Sequence, residues 1–398
     1  MSDTHSNARL WWIVVALSLG PAVTNGFARF AYGLILPAMR EDLDWTFTEA
    51  GWINTANAIG YLVGALLALA TIGKVGPRRL FVWGMALTTA SLGFSALTSD
   101  ITILSALRIA AGIGGAPVFI AGGAMTSAMF AENPSKNALA LAVYFGGGGF
   151  GMVLTAASLP LFIDWFGPPG WPLAWLMLGI ASWIAFAASF AAAEEAPVAK
   201  SAAPGEARTR LPILPMLAIL VNYTLFGLGY VIYITFLIAW MRDWGASAEL
   251  VALTWGVMGI AVSLSAFLWR YVLARSQAGG AAALTTLMTG IGAILPVLSP
   301  GPAMVLISAF LFGGSFFMVP TAGTNFVRKN MAPYHWGPAI SFLTVVFAIG
   351  QIIGPVGAGA LADHMGGTTE TLVASGAILG FGAVVALLQR PLKPSAAR

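Results

Sequence analysis

Arg29 and Arg108 each stand as a lone charge inside a long apolar stretch, which makes them the first residues to ask for chemistry. A guanidinium stays protonated and presents a planar fork of donors that meets a carboxylate or phosphate in two parallel hydrogen bonds. The spacing around Arg29 extends the pattern: Asn25, Arg29 and Tyr32 lie at i, i+4 and i+7, one face of a helix. Asn54, Asn57 and Tyr61 follow at i, i+3 and i+7, and Tyr223, Tyr230 and Tyr233 form a similar series. Tyr144 and Gln351 are two more polar side chains embedded in apolar runs. Such stripes would line a polar cavity, with Arg29 and Arg108 drawing in a small anion. The competing reading is structural: arginines held by backbone carbonyls, with hydroxyls and amides tying neighbouring helices together.

Other chemistries find no footing. His5, His335 and His364 fall at a terminus and in loops, with no metal-ligand spacing and no neighbouring nucleophile, and cysteine is absent. Neither an enzyme's active site nor a metal or other cofactor is therefore expected. Gly146, Gly147, Gly148, Gly149 and Gly151 lack a following Lys-Ser/Thr, so they read as close helix packing and not as a phosphate loop. Gly354-Pro355 with Gly357 and Gly359 reads as a kink and a second close contact. No carboxylate stands deep in an apolar run, since Glu49 and Asp363 fall at run ends. That argues against an organic cation as ligand. A coupling proton would have to use those end carboxylates, a tyrosine network or the ligand's own titration.

The elements that must position these residues are dictated by solvent. The chain has 398 residues, 58% hydrophobic and 9% charged, where soluble domains run at about 25% charged. Its apolar runs are long enough to cross a lipid bilayer as helices, and they lack the short alternation of barrel strands. An all-α membrane protein with about twelve spans is expected. The first six are 10–39, 48–71, 79–98, 101–129, 137–163 and 172–193; the second six are 211–241, 249–273, 281–298, 303–326, 337–362 and 371–388. No small-residue cleavage site precedes the first span, so it reads as uncleaved. On these spans Arg29 lies roughly 15 Å and Arg108 roughly 12 Å from its nearer end at helical rise. An arginine at a span centre costs about 2.5 to 3.5 kcal/mol to insert, so each should face protein or a wet cavity.

The organisation expected is a six-helix half at 1–193, a cytoplasmic linker at 194–210 and a second six-helix half at 211–398. Weak internal repetition supports two halves: 25–32 lies over 226–233, and 147–151 over 350–354. Basic residues sort by side. Arg9, Lys74, Arg78, Arg79, Lys136, Lys200, Arg208, Arg210, Arg275, Arg328, Lys329, Arg390, Lys393 and Arg398 share the face of the N-terminus, with Arg270 just inside it, whereas Arg40 and Arg242 fall opposite. The positive-inside bias therefore puts both termini in the cytoplasm. It also accounts for the net charge of +4 without nucleic acid as a partner, because no basic patch carries interleaved aromatics.

Two blocks of six spans around a polar linker resemble the major facilitator superfamily. The segments 26–37, with Gly26, Arg29, Tyr32 and Pro37, and 56–64, with Asn57 and Tyr61, are similar to its YbfB/YjiJ-like bacterial branch. The resemblance covers nearly the whole chain and implies the major facilitator fold, with spans one, four, seven and ten lining a central cavity that would hold Arg29, Arg108 and Tyr230. Residues 107–112 around Arg108 resemble the superfamily's helix-four motif, whose arginine often serves packing and coupling. The loop carrying Lys74, Gly76, Arg78 and Arg79 resembles its basic gating loop, with Gly73 where an aspartate is usual. The fifth span lacks the Gly-Pro of the antiporter motif. What is implied is a secondary active transporter of the bacterial inner membrane, a monomer, working by alternating access. The residues add a small organic anion as substrate, such as a carboxylate or an anionic aromatic compound; the alternative is proton-coupled efflux of neutral or amphiphilic compounds.

Overall fold

A computed structural model describes residues 2–197 and 211–392. From 198 onward the expected linker lies outside the described residues, and with it Lys200, Arg208 and Arg210, as do Lys393 and Arg398 at the other end. Among the described residues twelve helices are long and apolar enough to cross a membrane. They are α1 Asn7–Asp42, α2 Phe47–Val75, α3 Pro77–Leu97, α4 Ile101–Met129, α5 Ser135–Phe166, α6 Pro168–Glu195, α7 Leu214–Asp243, α8 Ala248–Arg275, α9 Gly280–Leu298, α10 Pro302–Asn330, α11 His335–Met365 and α12 Thr369–Leu387. The expected spans match these to within a few residues. Their outward surface is apolar: Trp83, Trp165, Ile184 and Leu388 are largely exposed, as side chains facing lipid should be.

Local chemistry sets the helix starts. Thr46 and Glu49 form a reciprocal capping box at α2, Asp100 accepts from Thr102 and Ile103 N–H at α4, and Ser247 caps α8. Alternation puts the start of α1 and the end of α12 on one face, here the terminal face, and the α1–α2 turn on the distal face. Arg9 Nε, at the start of α1, donates to Glu195 at the end of α6 at 3.1 Å.

The contacts repeat when helix numbers advance by six. α2 packs on α4, α3 on α4 and α6, and α1 on α5 and α6; the counterparts α8 on α10, α9 on α10 and α12, and α7 on α11 and α12 are all made. The main contacts between the two groups, α5 with α8 and α2 with α11, exchange under the same shift.

The distal face is sealed where the groups meet. Asp363, near the end of α11, accepts from Phe47 N–H at 2.7 Å, Thr48 N–H at 2.9 Å and the Thr48 hydroxyl at 2.5 Å. It thus takes donors in the first turn of α2 that the capping box leaves free. Thr55 donates to the Ile352 carbonyl at 2.9 Å, Asn54 Nδ2 to Thr235 Oγ1 at 2.6 Å, and Arg242 pairs with Asp164 at 3.7 Å. Gly51 lets α2 approach so closely that a Cβ there would collide with the Pro355 carbonyl. Toward the terminal face α11 is less buried: His335, Trp336, Ile340, Ser341, Phe342 and Thr344 stay partly exposed. In the expected gating loop Arg78 donates to Glu194 at 3.4 Å and to the Ala196 carbonyl at 3.2 Å, holding the loop to its own group.

Candidate functional site

Arg29 sits on a break in α1. From Ala22 to Phe30 the helix is wound as a π-helix, and Ala31 N–H donates back five residues to the Gly26 carbonyl at 3.0 Å. Two features favour the wider winding. Pro21 has no N–H to continue an α-helical ladder, and the Thr24 hydroxyl occupies the Gly20 carbonyl at 3.0 Å. Each wider turn rotates the residues beyond it against α-helical register, and such segments are frequent at functional sites. All nine residues of the segment are buried, Asn25 at 5% and Arg29 at 7% exposure.

Arg29 lies with its guanidinium 5.0 Å from the Tyr61 ring centroid and near the Tyr230 hydroxyl. Tyr230 in turn accepts from Gln351 Nε2. Arg29 Nη2, Asn25 Nδ2 and Gln351 Oε1 are buried without a hydrogen-bond partner. Among the described residues, the ion pairs are those of Arg9, Arg78 and Arg242, so no carboxylate neutralises Arg29. Buried donors are normally satisfied, and leaving one bare costs about 1 to 3 kcal/mol. A buried cation with an unmet nitrogen and no carboxylate partner is suited to receive an anion.

The remaining residues expected at the site go elsewhere. Arg108 is 1% exposed; its Nη2 donates to the Ala28 carbonyl, its guanidinium lies over the Tyr32 and Trp175 rings at 5.5 and 5.1 Å, and its Nε and Nη1 are buried without a hydrogen-bond partner. Tyr32 donates to the Ala50 carbonyl at 2.7 Å, because the π-helical winding has turned it off the face of Asn25 and Arg29. Asn57 Nδ2 donates to the Arg108 carbonyl at 3.2 Å and Tyr144 to the Val118 carbonyl at 2.8 Å. Tyr233 shares a 2.5 Å hydrogen bond with Ser308 and stacks on Phe312 at 4.1 Å. These five tie helices together. The structure brings Asn25, Arg29, Tyr61, Tyr230 and Gln351 into one cluster and leaves the others in the surrounding framework.

Aromatic residues that polarity could not flag complete the cluster. α10 is broken at Phe317, between helical stretches ending at Phe316 and restarting at Met318. Pro320 cannot donate to the Phe316 carbonyl, and Gly313 and Gly314 precede the break. The break sets Phe316 against Tyr230 and, across the two groups, Phe30 edge-on to Phe316 and Phe317. Pro320 three residues after a Phe-Phe pair was the available signal. Among the described residues no group of three or more His, Asp or Glu is placed to hold a metal ion.

Residues 21–387 match the family described as "Uncharacterised MFS-type transporter YbfB". Over 385 residues the chain is 26% identical to a "Chloramphenicol resistance protein" of Streptomyces lividans, covering 94% of this chain and 95% of that one. It is 22% identical over 391 residues to the "Inner membrane transport protein YdhP" of Escherichia coli (strain K12), covering 96% of each. In architecture it is similar to the nucleoside transporter NupG, with a TM-score of 0.70 at 15% identity over 95% of this chain and 97% of that one. It is also similar to a bacterial homologue of the human lysosomal transporter Spinster in an inward-facing, unoccupied conformation, with a TM-score of 0.71 at 14% identity over 96% and 97% of the two chains.

Proposed function

Because the chain belongs to the MFS-type transporter family described by YbfB, it is a multi-pass membrane transporter and not an enzyme, and we propose that it moves a small organic anion with Arg29 as the charge partner. The observation that supports this is the buried Arg29 guanidinium, whose Nη2 has no hydrogen-bond partner and which makes no ion pair among the described residues. In an empty site such a group raises the energy of the resting protein, and an anion relieves it. Asn25 adds a second donor, and the Tyr230–Gln351 pair joins the far group to the same ligand.

The two groups of six helices, divided by the linker, are the moving bodies in this reading. The sealed distal face and the less buried terminal side of α11 correspond to a state open toward the terminal face. The lysine and arginine bias supports a cytoplasmic location for that face and both termini, with the helices in a bacterial inner membrane. One chain supplies every residue of the cluster, so a monomer suffices. With no deep acid, a coupling proton travels on the substrate or through the distal carboxylates.

Uptake of a panel of small anions into proteoliposomes tests the charge-partner role. Arg29→Gln should cut uptake of every accepted anion by about tenfold or more, the loss of a charge-assisted bond. Unchanged uptake across the panel sinks the proposal. Export of neutral or amphiphilic compounds is the second reading, favoured by the name of the Streptomyces relative. Broad drug resistance in an overproducing strain that survives Arg29→Gln would decide for it.

A further inference from the structure

Resting on the anion reading above, we infer that the substrate class is a planar aromatic carboxylate. The rings around Tyr230 form a slab. Tyr230 stacks on Phe226 at 4.9 Å and 17°, on Phe347 at 5.7 Å and 11°, and on Phe316 at 5.7 Å and 17°, while Phe226 and Phe347 lie 5.6 Å apart at 13°. Phe226, Tyr230 and Phe316 are buried and Phe347 is partly exposed, so Phe347 is the slab ring left open to a ligand; Phe317, edge-on to Phe316, is partly exposed beside it.

Tyr230 belongs to the slab by its ring and to the Arg29 cluster by its hydroxyl. A carboxylate seated on Arg29 therefore brings the rest of a small ligand within about one ring width of the stack. The unmet Arg29 Nη2 offers a charged donor to a carboxylate oxygen, and Asn25 Nδ2, four residues earlier in the same helix, is a second unmet donor. A flat ring beside near-parallel rings gains from offset stacking beyond its buried area, which a puckered ring of equal size does not.

The backbone supports a ligand role over simple core filling. Both interruptions, the π-helical turn in α1 and the break in α10, fall at this level of the bundle, and they bring Phe30 against Phe316 at 5.9 Å and Phe317 at 6.2 Å. A core needing only apolar volume would be filled from unbroken helices, without freeing backbone groups in lipid-enclosed protein.

Equilibrium binding of radiolabelled benzoate to the purified full chain, with unlabelled competitors, tests the inference. Benzoate should compete about three- to tenfold better than cyclohexanecarboxylate, the stacking increment. It should also outcompete benzyl alcohol, which keeps the ring and lacks the charge, by about tenfold or more. Phe347→Leu should bring the two acids to parity with both still binding, and Phe316→Leu gives the same readout if the first variant folds poorly. Arg29→Gln should lose both acids. Parity of the two acids in the unaltered chain overturns the aromatic class and leaves the anion reading standing. Benzyl alcohol competing as well as benzoate overturns the anion reading itself. Absence of benzoate binding at millimolar concentration, or a ring preference that persists in both leucine variants, also overturns the inference.

Discussion

Arg29 and Arg108 are both buried arginines, and their surroundings differ. Arg108 grips the Ala28 carbonyl between two aromatic rings, so it braces the π-helical turn that carries Arg29. Arg29 projects a bare nitrogen where the groups meet. The same substitution should therefore have different effects at the two positions. Arg108→Met loses the charged hydrogen bond to Ala28 but also removes two unsatisfied nitrogens, Nε and Nη1, so its net stability change should stay within about 1 kcal/mol. Arg29→Met removes an unsatisfied buried donor and should raise stability by about 1 to 2 kcal/mol while abolishing anion binding, as functional sites often trade stability for activity. Thermal unfolding of both variants without ligand checks this, and a loss of stability in Arg29→Met would mean that its cluster is satisfied internally.

At the scale of the element, helix ends and breaks shape the cluster and join the two groups. α2 begins with its own capping box, yet Phe47 and Thr48 N–H are taken by Asp363 from the other group. A carboxylate at a helix N-terminus is favoured by both hydrogen bonding and the macrodipole, and this one exists only while the distal face is shut. Asp363→Asn keeps the shape and removes the charge, so the distal-open population should rise severalfold, by an amount equal to about 0.5 to 1 kcal/mol. The chain has no cysteine, which allows a spin-label pair at Glu41 and Met365, both exposed on the distal face. Pulsed electron paramagnetic resonance should then show a longer-distance population in the Asn variant. Identical distance distributions in both proteins would rule out Asp363 as a latch.

At the scale of the molecule, two six-helix groups with matching contact patterns meet along α2–α11 and α5–α8. The second seam depends on paired glycines: a Cβ on Gly259 would stand 2.7 Å from the Gly149 carbonyl and 2.9 Å from Met152 Cβ. Overpacking of this kind costs about 1 to 3 kcal/mol and here falls on one arrangement of the groups. Gly259→Leu should therefore leave benzoate binding within about threefold and reduce proteoliposome uptake by about tenfold, a population shift of that energy. Full transport activity in this variant would show that the seam does not need its close approach.

The sequence by itself determined the architecture, because hydrocarbon imposes strict conditions on any chain that crosses it. Each long uncharged run had to be a helix, and the runs from 10–39 to 371–388 match α1 to α12. Lone polar residues in such runs had to face inward, which singled out Arg29, Tyr230 and Gln351 along with Arg108, Tyr144 and Tyr233. Only the tertiary structure decided which inward-facing residues stay available. Tyr32 left the face of Arg29 because the helix changed its winding between them, and Asn57, Tyr144 and Tyr233 found partners on neighbouring helices. The slab of Phe226, Phe316 and Phe347 was hidden for the opposite reason: in a chain that is 58% hydrophobic, one phenylalanine looks like any other until the rings are seen to stack on Tyr230.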